Sequence, residues 1–221
     1  MKKQTKKKNF SRFKVNEAFK QLQIKELIRW QIDFQPLEPS AFFKTRLQRL
    51  ENFDLTISEK AKELLIDAIC EEVIQQHPHL KIWKEAPLQS DKLTGFVDYL
   101  VAEKKAYLDA PLLCVVEAKK DKFDKGLAQC LVEMQACQWN NAQLGKQIDI
   151  FGIVTNGEVW KFYKLSFDGK IYETLPHSLG ETKNVLGILD NIFSGCEENL
   201  NLATILENSK HLANLKNDYQ K

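Results

Sequence analysis

Leu112-Leu113-Cys114-Val115-Val116-Glu117-Ala118-Lys119 is an apolar run that ends in an acid, a small residue and a lysine. Its bulky and β-branched side chains mark a buried strand. Side chains alternate faces along a strand, so Leu113, Val115, Glu117 and Lys119 share one face. A carboxylate and an ammonium therefore point the same way at the end of a hydrophobic strand. Burying charge there is costly unless the charge is paired or used.

Upstream, Thr94-Gly95-Phe96-Val97-Asp98-Tyr99-Leu100-Val101 reads as a second strand with Phe96, Asp98 and Leu100 on one face. The segment between, Glu103 to Pro111, is polar and ends in Pro, as a hairpin loop would. A hairpin symmetric about the middle of that loop sets Asp98 directly opposite Glu117. Opposed residues have Cβ atoms ~5 Å apart, where two like charges repel. A divalent cation between them reverses the sign, and hard cations such as Mg²⁺ take carboxylate oxygens. The expectation is a metal site at Asp98 and Glu117, with Lys119 beside it. It depends on register, because a slip of one residue moves the side chains to opposite faces. The competing reading has Asp98 capping a bulge and Glu117 and Lys119 forming an exposed ion pair past the strand end.

An Asp on one strand, Glu-x-Lys at the end of the next, then a helix with an inward Gln, resembles the PD-(D/E)XK nuclease superfamily. Asp98 matches the first acid, Glu117-Ala118-Lys119 the second motif and Gln129 the helix glutamine. Phe151 to Trp160 is similar to a segment of the N-terminal nuclease domain of type I restriction R subunits. The resemblance covers about residues 59–165, with Val97 standing where the name-giving Pro would be. It implies a restriction-endonuclease-like α/β fold, a mixed sheet flanked by helices. It also implies a Mg²⁺-dependent endonuclease that cleaves DNA, with Mn²⁺ as a substitute. The metal would be held by Asp98 and Glu117, and Lys119 would position or help activate a water and hold the scissile phosphate. Gln129 would orient a phosphate or a metal-bound water, with Gln135 replacing it if the helix is rotated. Superfamily members bring a further acid from the first helix. Glu72, on the border of that helix's apolar stripe, is the choice for a third metal ligand, and Glu71 is the runner-up. A surface glutamate at the stripe's edge is the plain alternative.

The 221 residues suggest one domain with enough length for a sizeable core. Five cysteines with no CxxC pair read as reduced core residues, not as a disulfide frame or zinc site. No apolar run reaches ~20 residues, and the N-terminus lacks the apolar stretch of a signal peptide, so a cytoplasmic protein is expected. Residues 1–14 carry Lys2, Lys3, Lys6, Lys7, Lys8, Arg12 and Lys14 and no acid. The rest of the chain then holds 25 basic residues against 30 acidic ones. The segment reads as a disordered basic arm, either a solubilising tail or one that touches nucleic-acid phosphates.

Residues 15–57 read as an N-terminal helical extension. Val15, Phe19, Leu22, Leu27, Ile28 and Trp30 suit a helix and a turn. Pro36 and Pro39 mark an extended connector, and Ser40 caps a short helix bearing Phe43 and Leu50. The nuclease-like core spans 58–207. Ser58 caps a helix over about 59–76, and a helix over about 123–142 follows Lys119. Asn156-Gly157 between Ile148–Thr155 and Glu158–Leu165 predicts a two-residue type I′ hairpin. A short strand at 171–175 and helices over about 181–206 follow, and 208–221 is a polar tail.

The leading reading is thus a DNA endonuclease, acting as a homodimer or with a partner subunit. The competing class is a nuclease-fold module that binds or regulates without turnover, and a plain α/β scaffold is the third reading. A nucleotide-binding enzyme is disfavoured, because neither G-x-x-x-x-G-K-[ST] nor G-x-G-x-x-G occurs.

Overall fold

A computed structural model describes the backbone of residues 6–218 and the side chains of residues 6–202. Lys2 and Lys3 of the basic segment, and the side chains of the polar tail, lie outside the described residues. The elements are β1 (Lys8–Asn9), α1 (Val15–Leu22), β2 (Ile28–Arg29), α2 (Ala41–Leu50), α3 (Glu59–Ile74), β3 (Leu80–Gln89) and β4 (Leu93–Glu103). They continue with β5 (Leu112–Ala118), α4 (Phe123–Gln143), β6 (Ile150–Thr155), β7 (Val159–Leu165), β8 (Ile171–Glu173), β9 (His177–Ser178) and α5 (Thr182–Asp218).

The strands form one mixed sheet in the order β1-β4-β5-β6-β7-β8-β2, with β3 also paired to β4 and β9 to β7. β5 and β6 run parallel, and α4 is the crossover that a parallel pair requires. All seven residues of β5 and all six of β6 are buried, since helices cover both sheet faces. The chain is therefore a mixed α/β fold, its sheet flanked by helices. The register of β4 on β5 is Tyr99 to Val116, Leu100 to Val115 and Val101 to Cys114, with an irregularity at Val101 and Ala102. Asp98 and Glu117 are the next positions along the two strands, as the symmetric hairpin predicts.

Which face each residue takes follows from its neighbours across the layers. A Cβ on Gly152 would lie 2.4 Å from Met134 Sδ and 2.7 Å from Cys130 Sγ, so α4 sits directly on that side. Gly152 pairs with Val115 and Val154 with Glu117, so Glu117 faces α4. On the opposite face, Tyr99 Oη donates to Asp67 of α3 at 2.7 Å, and Phe151 meets the α5 glycine Gly195.

Several expectations are corrected. β3 is a strand that the sequence does not announce, because its apolar residues are interrupted by Lys81, Lys84 and Glu85. Residues 8–14 are not a free arm. Lys8 and Asn9 pair with Leu93 and Thr94, and Phe10 and Phe13 are buried. Two aromatic anchors outweigh the charge around them. Residues 15–57 do more than add helices, because Ile28–Arg29 extends the sheet beside β8 and Trp30 stacks on Phe151 at 6.3 Å. α5 runs without a break through position 208, the start of the expected tail. The Asn156-Gly157 turn is not type I′. That turn needs positive φ at both residues, and only Gly157 has it, at 85°. Instead Asn156 Oδ1 accepts from the backbone N–H groups of Glu158 and Val159, at 3.1 and 2.8 Å. Ser58 and Ser40 cap their helices as expected, accepting from Ala61 N and Phe43 N, each at 3.0 Å.

Candidate active site

Asp98, Glu117 and Lys119 converge where β4 and β5 meet the first turn of α4. Lys119 follows the last residue of β5 and donates its backbone N–H to Thr155 O at 2.8 Å, so the strand course carries it one step further. Its Nζ touches a Glu117 carboxylate oxygen, lies 2.8 Å from Ala118 O and stands 4.0 Å from Asp98 Oδ2. Asp98 Oδ2 accepts the Ala118 N–H at 2.8 Å, which ties the two strand ends together. The Glu117 side chain is fully buried, Lys119 is 7% exposed and Asp98 is 32% exposed. The cluster is therefore largely buried, with Asp98 its most exposed member. The exposed ion pair weighed from sequence is not what forms.

A fourth group, Glu133 of α4, completes the buried cluster. It is fully buried and lies behind Glu117. Gln129, also buried, donates Nε2 to Glu133 Oε1 at 3.0 Å, so it reaches the cluster through that carboxylate. Gln135 does not compete for this role, because it bonds to Gln21 on α1. Glu117 Oε2 and Glu133 Oε2 are both buried without a hydrogen-bond partner. Three acids thus gather about one cation, Lys119, in a largely buried cluster.

The electrostatics follow from that imbalance. Burial first, and then the charge of Asp98, push the Glu117 carboxyl up to about 8, against the pull of Lys119. Burial and the Glu117 charge raise Glu133 well above the carboxylate range. Burial also raises Asp98, opposed by Lys119 and the Ala118 N–H. Burial works to lower Lys119, but the Glu117 and Asp98 carboxylates outweigh it and the ammonium is held charged. The direct contact with Lys119 and the raised Glu117 pull in opposite senses. The raised acid prevails because burial, the largest effect, together with the Asp98 charge outweighs the ammonium and the contact with Glu133.

Glu72 is not in this site. Its carboxylate accepts from Ser40 N at 2.7 Å and Ser40 Oγ at 2.9 Å, locking α3 to the start of α2. Glu71 pairs with Arg46 at 3.5 Å, so the runner-up is also elsewhere. The reason is direction: the C-terminal half of α3 lies against α2, while its first turns reach the Asp98 end of the sheet. The α3 acids whose charges bear on Asp98 are Glu63 and Glu59. Helical periodicity places an acid around the helix and says nothing of which end lies at the site.

β3 adds one irregularity beside Asp98. The pairs Lys84 to Tyr99 and Ala86 to Val97 leave Glu85 opposite Asp98. Glu85 has φ of 48°, in the left-handed region, and its side chain pairs with Lys60 on α3. A fourth carboxylate is thereby kept off the site.

Among the described residues, no group of three or more His, Cys, Asp or Glu side chains is arranged to hold a metal ion. Asp98 and Glu117 are two hard oxygen donors, one with an unpartnered buried oxygen, in a cluster where three acids face one ammonium. That set suits Mg²⁺, which keeps several waters and binds through one or two carboxylates. No protein-family model matches the chain, and no curated protein matches it either. No helix among the described residues is long and apolar enough to cross a membrane.

Proposed function

We propose that the chain is a nuclease domain that hydrolyses phosphodiester bonds in DNA, working in the cytoplasm. On this reading its sheet and helices are a restriction-endonuclease-like core of the PD-(D/E)XK kind. The observation that carries the reading is the convergence of Asp98, Glu117 and Lys119 on one face at adjoining strand ends, with Lys119 Nζ between the two acids. Asp98 and Glu117 would hold Mg²⁺, which supplies Lewis acidity and a more acidic bound water. The protein's own groups do the rest. Lys119, held charged, binds a non-bridging phosphate oxygen and fixes the attacking water. Glu133 and Gln129 hold the Glu117 carboxylate in place from behind. Asp98, the most exposed of the acids, is the first that an entering phosphate and its cation meet.

A second reading, a module that binds without turnover, is favoured by one observation. Lys119 is already engaged by Glu117 and by Ala118 O, so it is not free in the absence of ligand. The experiment is a calorimetric titration of Mn²⁺ into the wild type, Asp98→Ala and Lys119→Ala, followed by incubation of each with mixed DNA substrates. Binding lost in Asp98→Ala, with cleavage by the wild type and at least a hundredfold less by Lys119→Ala, is the expected result. Cation binding without cleavage would select the second reading. Neither binding nor cleavage would overturn both.

A further inference from the structure

A groove of about 350 Å³ runs between residues 11–15 and the first turn of α4, at Asp124 and Lys125. Three cations line it, Arg12, Lys14 and Lys125, against the single acid Asp124. All three are exposed, and none makes an ion pair among the described residues. The nearby Glu17 is already taken by Lys8 at 3.1 Å and by the Lys14 backbone N–H at 3.0 Å. Cations gathered from two distant segments into one concavity focus a positive field that concentrates anions there.

Both walls are fixed to the proposed catalytic strands. Phe10, only 1% exposed, lies over Gly95, where a Cβ would come within 2.7 Å of its ring. Gly95 is three residues before Asp98 on β4. On the other wall, Gly126 follows Lys125, and a Cβ there would stand 2.9 Å from Lys119 Cγ. The segments that line the groove are thus anchored on one side to the strand that carries Asp98 and on the other to the stem of Lys119.

We infer that this groove holds the phosphodiester backbone of duplex DNA beside the scissile bond, through Arg12, Lys14 and Lys125. The inference rests on the nuclease reading for the identity of its ligand. Phosphate contacts of this kind set position and register without reading sequence.

The test uses a fluorescein-labelled mixed-sequence duplex, with anisotropy measured over a range of salt concentrations. The host is Lys119→Ala protein, so that binding is read without cleavage. Charge reversal of Arg12, Lys14 and Lys125 together should weaken binding at least tenfold and flatten the salt dependence by two to three phosphate contacts, about 0.9 in slope for each. Arg12→Lys with Lys125→Arg should leave both near the parent values. If the triple variant melts early, Arg12→Gln alone should still lower the slope by about 1. Unchanged affinity and slope, or equal loss in the charge-conserving variant, would overturn the proposal. Cleavage by otherwise wild-type protein bearing the charge reversals, at undiminished kcat/KM, would overturn the groove and leave the nuclease standing. Groove-dependent binding with no cleavage by the wild type would do the reverse.

Discussion

Glu72 and Glu117 are both buried glutamates, and their surroundings give them opposite characters. Glu72 accepts two hydrogen bonds from Ser40, one on each carboxylate oxygen. Glu117 keeps an unpartnered oxygen and sits among Asp98, Glu133 and Lys119. A bond to a charged acceptor contributes roughly 1.5–3 kcal/mol, and the orphaned Ser40 N–H adds to the loss when the acceptor goes. Glu72→Ala should therefore cost about 2–4 kcal/mol in urea denaturation. Its affinity for Mn²⁺ should equal the wild type's, and weakened Mn²⁺ binding would return Glu72 to the site. The sequence shows that Glu72 is on the edge of a buried stripe. It cannot show that Ser40, thirty-two residues earlier, is the partner.

At the scale of elements, the helix that matters is α4. Its small residues let it approach the sheet, and its first turn sets the Lys119 stem. A Cβ at position 126 would lie 2.6 Å from Val154 Cγ1 as well as 2.9 Å from Lys119 Cγ. Such contacts force the backbone or its neighbour to move, typically at about 1–3 kcal/mol. Gly126→Ala should lower stability by that amount and cut cleavage by more than tenfold, because the ammonium shifts with its stem. Denaturation and initial cleavage rates measure the two effects separately. Full activity in this variant would show that Lys119 adapts and that α4 does not position it. The helix itself was legible from Leu127, Cys130, Met134 and Cys137. The inward place of Glu133 was not, because four-residue spacing from Gln129 says only that the two lie on one face.

For the whole molecule, the buried acid cluster writes itself into stability as a function of pH. Glu117 has a folded-state pKa of about 8 against an ordinary 4.5, and Glu133 and Asp98 are shifted the same way. A group raised on folding contributes stability that is fully present below its unfolded pKa and lost as pH rises through the folded one. Resistance to urea should therefore fall between about pH 4.5 and pH 8 in the absence of divalent cation. Glu117→Gln should flatten that fall, because a neutral amide has no proton to lose. A profile that is flat in the wild type would mean that the cluster does not retain its protons. The alternation of apolar and polar residues, the Ser caps and the run from Leu112 to Ala118 determined the elements and the opposition of Asp98 to Glu117, because strand period and hairpin symmetry are local rules. The strand at Leu80–Gln89, the anchoring of the basic segment by Phe10 and Phe13, and the removal of Glu72 to Ser40 were decided only by the tertiary structure. Each depends on which distant surface a side chain meets, and the energy of that meeting outweighs local propensity.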